Sequence, residues 1–144
     1  MNIYKEQSTG YQLLAGLKIL VLEDELDNLT LLSYILQVEG AGVIVANSVS
    51  EAVNQLQCQL INVALISIKA IEKYISIKNI NIADIEIPKY IPKIAMVDSV
   101  RHSDWRSIRD LGCCACLSKP FYYDQIAPLI IGAQEVMELH GNCV

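Results

Sequence analysis

The sequence predicts an open α/β sheet with a polar site along one of its edges. Short, continuously apolar runs alternate with segments of helical periodicity, a pattern typical of parallel strands buried on both faces. Three of the apolar runs have a polar residue at or just after their ends, at Glu23, Ser67 and Asp98. Because the carboxyl ends of parallel strands meet at one edge of the sheet, these residues predict a site at that edge.

Length and composition restrict the class of protein. The chain has 144 residues, 53% of them hydrophobic, which is enough for one domain with a substantial core. A net charge of −5 argues against a nucleic-acid partner, since such a partner needs a clustered basic face. No apolar run approaches the roughly 18 residues of a membrane span, so we expect no membrane association.

The cysteines and the N-terminal sequence predict a compartment. The first residues contain no long apolar stretch, so no signal peptide is expected. Five cysteines in a chain without a secretion signal favour free thiols in a reducing environment. We therefore expect a cytoplasmic protein.

The strands are predicted from apolar, partly β-branched runs of four to six residues. In order they are Lys18–Leu22, Val43–Ala46, Val63–Ile68, Ile94–Val97 and Cys114–Leu117.

The first two helices are predicted from helical spacing and end signals. Helix one ends near Gly40, and helix two is capped by Ser50. The predicted inner positions are Leu29, Leu32, Ile35 and Leu36 in helix one, and Ala52, Val53 and Leu56 in helix two.

The last two helices follow strands four and five. For helix four we predict an N-cap at Ser103 and an end at Gly112, with Trp105, Ile108 and Leu111 facing inward. Pro128 implies that helix five either starts late, near Asp124, or kinks. Its predicted buried residues are Ile126, Leu129, Ile130, Ala133 and Met137.

The acidic pair Glu23-Asp24 and the sequence Ser118-Lys119-Pro120 carry a family resemblance. With the order of elements and the intervals from 67 to 97 and from 67 to 119, they resemble the CheY-like receiver domain of two-component response regulators. The resemblance implies a flavodoxin-like (βα)5 fold, a doubly wound parallel sheet of order 2-1-3-4-5. It assigns residues 17–138 to this single domain, between an N-terminal arm at 1–16 and a C-terminal tail at 139–144.

The resemblance also implies a phosphorylation pocket, from which this chain departs. In the family, an acidic pair binds Mg²⁺, an aspartate takes the phosphoryl group, and a hydroxyl and a lysine sense it. Glu23, Asp24 and Lys119 match, whereas Ser67 stands at the acceptor position and Val97 at the hydroxyl position. Without a third carboxylate, we expect weak Mg²⁺ binding at most. A serine hydroxyl with no adjoining base is a poor nucleophile, so Ser67 is expected to be a neutral pocket residue.

The same resemblance predicts local geometry around the pocket. Lys119 is expected to form a standing ion pair with Glu23 or Asp24, and the bond before Pro120 is expected to be cis. A third helix is placed at about 71–81. Since Lys69–Tyr74 contains neither proline nor glycine, we expect the loop before that helix to be altered.

These departures predict a stand-alone pseudo-receiver, not an enzyme, that acts without phosphorylation as an adaptor or modulator. The expected partner is a signalling protein: a histidine kinase, a response regulator or an output protein. The family's partner surface is formed by helix 4, strand 5 and helix 5, and it could also join two copies as a homodimer. Its candidate residues here are Trp105, Cys116, Phe121, Tyr122 and Tyr123, with Cys116 at the position of an aromatic switch residue.

Two other interpretations stay open. Cys113 and Cys116 have the spacing of a redox pair, which favours a thiol-based sensor on the same fold. A small-ligand-binding flavodoxin-like domain is the other alternative, although the acidic segment after strand one would repel a phosphate.

Overall fold

The sheet has the predicted topology. Residues 12–98 and 102–141 are described in the computed structural model of the chain. Five parallel strands lie in the order β2-β1-β3-β4-β5. They are β1 (Lys18–Leu22), β2 (Gly42–Ala46), β3 (Val63–Ser67), β4 (Lys93–Val97) and β5 (Ala115–Ser118). The strand positions and the order 2-1-3-4-5 are confirmed, with ends that differ from the prediction by a residue or so.

Helices cover both faces of the sheet. They are α1 (Leu26–Val38), α2 (Val49–Cys58), α3 (Ile68–Lys78), α4 (His102–Leu111) and α5 (Tyr123–His140), with a 3₁₀ turn at Ile82–Asp84. Helices α1 and α5 pack into one hydrophobic cluster, while α2, α3 and α4 pack into a second. The molecule is therefore a three-layer α/β/α domain with the sheet in the middle.

The strands separate the two clusters by alternation. In β1, Ile19 and Val21 join the cluster of α1 and α5, while Leu20 and Leu22 join that of α2, α3 and α4. Successive side chains of a strand point to opposite faces, so a strand covered on both sides needs apolar residues throughout. This explains the uninterrupted apolar runs of β1, β3 and β4.

The end signals of the early helices were predicted with mixed success. The four predicted inner positions of α1 are all buried, and Gly40 follows that helix at a positive φ of 95°. Helix α2 is capped by Ser48, whose hydroxyl accepts from the Glu51 N–H, so the expected cap at Ser50 is wrong. Ser50 is the second residue of the helix instead.

The third helix starts earlier than predicted. It begins at Ile68, directly after β3, and not near residue 71. The reason is Ser67, which ends the strand and also caps the helix, so no residue is left for a connecting loop. The expected alteration before this helix is confirmed, and its form is the absence of a loop. The connecting segment instead follows the C-terminal end of α3, after Asn79, whose backbone is in the left-handed conformation.

Helix α4 corrects two predictions. It already includes His102, so Ser103 lies inside the helix and is not its N-cap. Trp105, predicted to face inward, is 55% exposed, whereas Ile108 and Leu111 are buried as expected. Because Asp104, Ser107, Ile108 and Leu111 form the buried row, Trp105 falls on the solvent side of the helix.

Helix α5 begins at Tyr123, close to the late start that Pro128 predicts. The proline is the sixth residue of the helix, so its missing N–H removes one backbone hydrogen bond near the start of the helix. Ile126, Ile130 and Ala133 are buried as predicted, while Leu129 and Met137 are only partly buried.

The segment before β1 is tied to the domain. Leu14 is fully buried in the cluster of α1 and α5, and its N–H donates to the Glu39 carbonyl at 2.9 Å. The last residues of the predicted arm therefore pack against the end of α1, while residues 1–11 lie outside the described part. At the other end, α5 continues to His140, past residue 138. The exact domain boundaries stay a prediction.

Within the described residues, no helix combines the length and apolar character that crossing a membrane requires.

Candidate functional site

The site lies at the carboxyl edge of the sheet, where four strand ends meet. Glu23 follows β1, Ser67 ends β3, Val97 ends β4, and Lys119 follows β5. Strands β1, β3, β4 and β5 are consecutive neighbours in the sheet, so the topology brings these predicted residues to one edge. The structure therefore brings these residues together at the edge where the sequence predicted a site.

Lys119 forms the expected ion pair, and its partner is Glu23. The Lys119 Nζ lies 2.6 Å from the Glu23 Oε1, and the Glu23 carboxylate is fully buried. Burial alone would lower the pKa of Lys119. The hydrogen bond and charge of Glu23, with the charge of Asp98, outweigh this effect and raise the pKa. The lysine therefore stays charged and is held by the buried carboxylate.

Asp98 is a second anion at the same ammonium group; the sequence placed it at this edge but did not predict its pairing with Lys119. Its Oδ1 lies 3.4 Å from the Lys119 Nζ, and its Oδ2 lies 3.8 Å from the Nζ of Lys69. Lys69 is in the first turn of α3, so the charges form a chain from β1 to α3. Its position one residue past the end of β4 predicted its place at the edge, but not its partner.

The Glu23 carboxylate is only half satisfied. Its Oε2 is buried and has no hydrogen-bond partner among the described residues. Asp24 does not join it, because its side chain is exposed and lines a groove with Asn47, Tyr74 and Ile77.

This donor set fits Mg²⁺ poorly. The described residues contain no group of three or more His, Cys, Asp or Glu side chains that could hold a metal ion. The free Oε2 of Glu23 offers a single buried carboxylate oxygen, so a Mg²⁺ ion here would depend on water for most of its shell. The Lys119 ammonium lies on the other oxygen of the same carboxylate and adds repulsion.

Ser67 has a structural task that explains its residue type. It is 1% exposed, and its Oγ accepts a hydrogen bond from the Ala70 N–H at 3.2 Å. Serine is among the best N-cap residues because its oxygen satisfies a free N–H of the first helical turn. The hydroxyl therefore acts as the cap of α3.

We expect Ser67→Ala to lower the free energy of unfolding by about 1 kcal/mol, because it removes this cap. Ser67→Asn is the matched control, since asparagine caps about as well as serine. Urea denaturation of both variants measures the difference. Equal stability of Ser67→Ala and the wild type would show that the cap contributes nothing.

The remaining predicted pocket residues are in place. Val97 is buried at the end of β4, where its side chain can donate no hydrogen bond. The peptide bond between Lys119 and Pro120 is cis, as predicted.

Comparison with known proteins agrees with this geometry at the level of fold. No family model matches the sequence, and a search of curated proteins finds no match either. Among solved structures, a CheY-like receiver domain from Methanospirillum hungatei is 19% identical with a TM-score of 0.67, covering 87% of this chain and 98% of that one. The chemotaxis protein CheY4 of Vibrio cholerae is 16% identical with a TM-score of 0.65, covering 83% and 99%. A receiver domain from Clostridium thermocellum is 20% identical with a TM-score of 0.61, covering 85% and 98%.

The chain has the receiver-domain fold. At these identities the likeness establishes the fold alone, so the use of that fold is taken up below as a proposal.

The residues predicted for the partner surface differ in their exposure. Trp105 and Tyr122 are exposed, by 55% and 60%. Phe121 packs against the core cluster of α1 and α5, and its ring centroid lies 5.9 Å from the Lys119 Nζ. Tyr123 is 48% exposed, and partial burial with the charge and hydrogen bond of Glu39 raises its pKa. Cys116 is partly buried in β5.

The cysteines do not provide a ready redox pair. Cys113 and Cys116 are free thiols that pack against the cluster of α2, α3 and α4. Burial raises the pKa of Cys113 to about 12, and burial with the charge of Asp104 raises that of Cys116. Since the thiolate is the reactive form, both are poor nucleophiles. Cys114 is disulfide-bonded, so the expectation of free thiols throughout is wrong.

We expect iodoacetamide to modify the exposed Cys58 long before Cys113 in the folded protein. Because burial raises the pKa of the Cys113 thiol from 9.0 to about 12, the protonated thiol contributes folding stability that is complete below pH 9.0. This contribution is lost as the pH rises from 9.0 to about 12. Peptide mass spectrometry after timed labelling at neutral pH measures the order, with labelling in urea as control. Equal labelling rates in the folded protein would contradict the burial of Cys113.

Proposed function

We propose that this chain is a pseudo-receiver, a non-enzymatic adaptor or modulator in two-component signalling that works without phosphorylation. The observation that carries the proposal is the state of Lys119. The residue that would sense a phosphoryl group in the resembling family already has two carboxylates, at 2.6 Å and 3.4 Å.

The two other pocket positions support the proposal. A receiver accepts phosphate on a carboxylate, but Ser67 offers a hydroxyl that is engaged with the backbone of α3. Val97 offers no hydrogen-bond donor to a phosphoryl oxygen. A phosphoryl group would therefore find neither an acceptor nor a hydroxyl sensor.

The ion pairs also suggest how the fold could keep one conformation. Lys119 follows β5, Glu23 follows β1, and Asp98 starts the segment that leads from β4 to α4. One ammonium group therefore connects three loops of the edge, including the loop that precedes the partner surface. An adaptor needs such a constant surface, since nothing in the pocket would switch it.

The phosphate part of the proposal is tested with acetyl phosphate and Mg²⁺. We expect intact-mass spectrometry to show no added phosphoryl group, and a beryllofluoride and Mg²⁺ mixture to leave the thermal unfolding midpoint unchanged. A receiver domain with its acceptor aspartate serves as the positive control. Phosphorylation at any pocket residue would overturn the proposal.

The partner part is tested by pull-down of the tagged chain from its host lysate, with and without reductant. We expect a kinase, a response regulator or an output protein in both conditions. Trp105→Ala should reduce recovery, while the matched variant Ile77→Ala, which changes an exposed residue of α3, should not. Recovery only without reductant would favour the thiol-sensor alternative.

A further inference from the structure

The strand β2 forms one open edge of the sheet and is unlike the other strands. Residues of β1, β3 and β4 are almost all buried, whereas β2 has Val45 43% exposed and Val43 and Ile44 only partly covered. The sequence from Ala41 to Ala46 contains no charge and no proline. Its register with β1 is continuous, so no bulge interrupts it. Proteins usually protect an edge strand with a charge, a proline or a bulge, and β2 has none of the three.

The free backbone groups of this edge belong to two valines. The Gly42 N–H donates to the Leu17 carbonyl at 2.9 Å, and the Ala46 carbonyl accepts from the Glu23 N–H at 3.1 Å. Both groups point toward β1, and polar groups of successive strand residues point to opposite sides. Val43 and Val45 therefore direct their N–H and C=O groups outward, where the described residues include no further strand.

The helices beside this edge are nearly free of charge. Helix α1 packs on β2 and has one charged residue, Asp27, in 13, and α2 has one, Glu51, in 10. Helix α3, by comparison, has four in 11, at Lys69, Glu72, Lys73 and Lys78. Depletion of charge is a feature of interface cores, because each buried charge must be desolvated.

We propose that β2 pairs with β2 of a second copy of this chain, in antiparallel orientation, to form a homodimer with one continuous sheet. The strand is nearly palindromic about Ile44, with Val43 and Val45 on either side and Gly42 and Ala46 at the ends. A two-fold axis at Ile44 places Val43 opposite Val45 of the partner subunit. Each such pair exchanges two hydrogen bonds, so the outward groups of both valines are satisfied.

A second copy fits this edge better than an unrelated peptide does. The antiparallel pairing places Val43 opposite Val45 and Gly42 opposite Ala46 of the partner subunit. Because the strand has no charged residue, no like charges face each other within it. This dimer uses the edge opposite to β5, so it leaves the proposed partner surface at α4, β5 and α5 free.

Analytical ultracentrifugation across a wide concentration range tests the dimer. We expect the wild type to dimerise and Val45→Lys to lose the dimer, since it places two lysines next to the two-fold axis. Ile77→Lys, at an exposed position of α3, is the matched control and should keep the dimer. A wild type that stays monomeric throughout, or a dimer that survives Val45→Lys, would overturn the proposal.

Cross-linking tests the register independently. In a Cys58→Ser background, Ile44→Cys should form a disulfide with its own copy, because a non-hydrogen-bonded pair brings Cα atoms within about 4.5 Å. Val45→Cys, which would face Val43 of the partner subunit, should cross-link far less. Stronger cross-linking of Val45→Cys than of Ile44→Cys would overturn the register. Neither result depends on phosphate or on a signalling partner, so the proposed function is tested separately.

Discussion

Lys119→Met is expected to lower the free energy of unfolding by about 3 kcal/mol, the typical cost of removing one partner from a buried ion pair. The methionine preserves much of the side-chain volume but leaves the fully buried Glu23 carboxylate without its cation. Since m is about 1–3 kcal/mol/M in urea, the midpoint should fall by about 1–3 M. Equilibrium urea denaturation monitored by circular dichroism provides the measurement.

Two controls show whether the charge pair causes this loss. The double variant Glu23→Gln with Lys119→Met should recover most of the stability, because no charge remains buried. Lys69→Met removes the exposed cation 3.8 Å from Asp98 and should cost less than about 1 kcal/mol. If the double variant were as unstable as the single one, lost packing and not the pair would be responsible.

The pH dependence of the same pair has a defined sign. The folded-state pKa of Lys119 lies above its ordinary value of 10.5, so its stabilisation is complete below that value. It is lost as pH rises through the folded pKa. The difference between the wild type and Lys119→Met should therefore narrow above pH 10.5.

Gly40→Ala is expected to cost about 2–4 kcal/mol, the second largest effect. Gly40 has a φ of 95°, which L-residues rarely adopt. An added Cβ would also lie 2.9 Å from the Gln12 Cβ and 3.3 Å from the backbone N and Cα of Ala15. The substitution would strain the backbone and press the segment before β1 away from the end of α1. Thermal and urea unfolding measure the loss.

Gly112→Ala is the matched control for the contact part of this effect. Gly112 also has a positive φ, of 73°, but an added Cβ there would meet no atom within 4 Å. We expect only the backbone cost of about 1–2 kcal/mol. Equal losses in the two variants would show that residues 12–15 do not press on Gly40.

The fold was predictable because burial imposes a pattern on the sequence. The inner row of α1, at Leu29, Leu32, Ile35 and Leu36, repeats at helical spacing, and β1 is apolar on both faces. Element ends were less predictable. At Ser67 and Ile68 the residue types suit either a strand or a helix, and only the tertiary structure shows that one serine ends β3 and caps α3. Trp105 was misplaced because a large aromatic residue was assumed to face the core.

The candidate site was predictable where it depended on position along the chain. Glu23 and Ser67 were predicted from the ends of strands, Val97 and Lys119 from the family resemblance, and all four lie at the predicted edge. The pairing of Asp98 with Lys119 was missed because the sequence does not show which way the Asp98 side chain turns. The choice between Glu23 and Asp24 as partner of Lys119 likewise depended on burial, which adjacent carboxylates in a loop do not reveal.

The direct passage from β3 into α3 limits what a change of residue 67 alone could do. A single codon change could place an aspartate at position 67, but that carboxylate would inherit the bond to the Ala70 N–H that now defines the start of the helix. Freeing it would require extra residues between Ser67 and Ile68, together with release of Lys119 from Glu23. The junction therefore resists conversion into a phosphate-accepting site by substitution at position 67 alone.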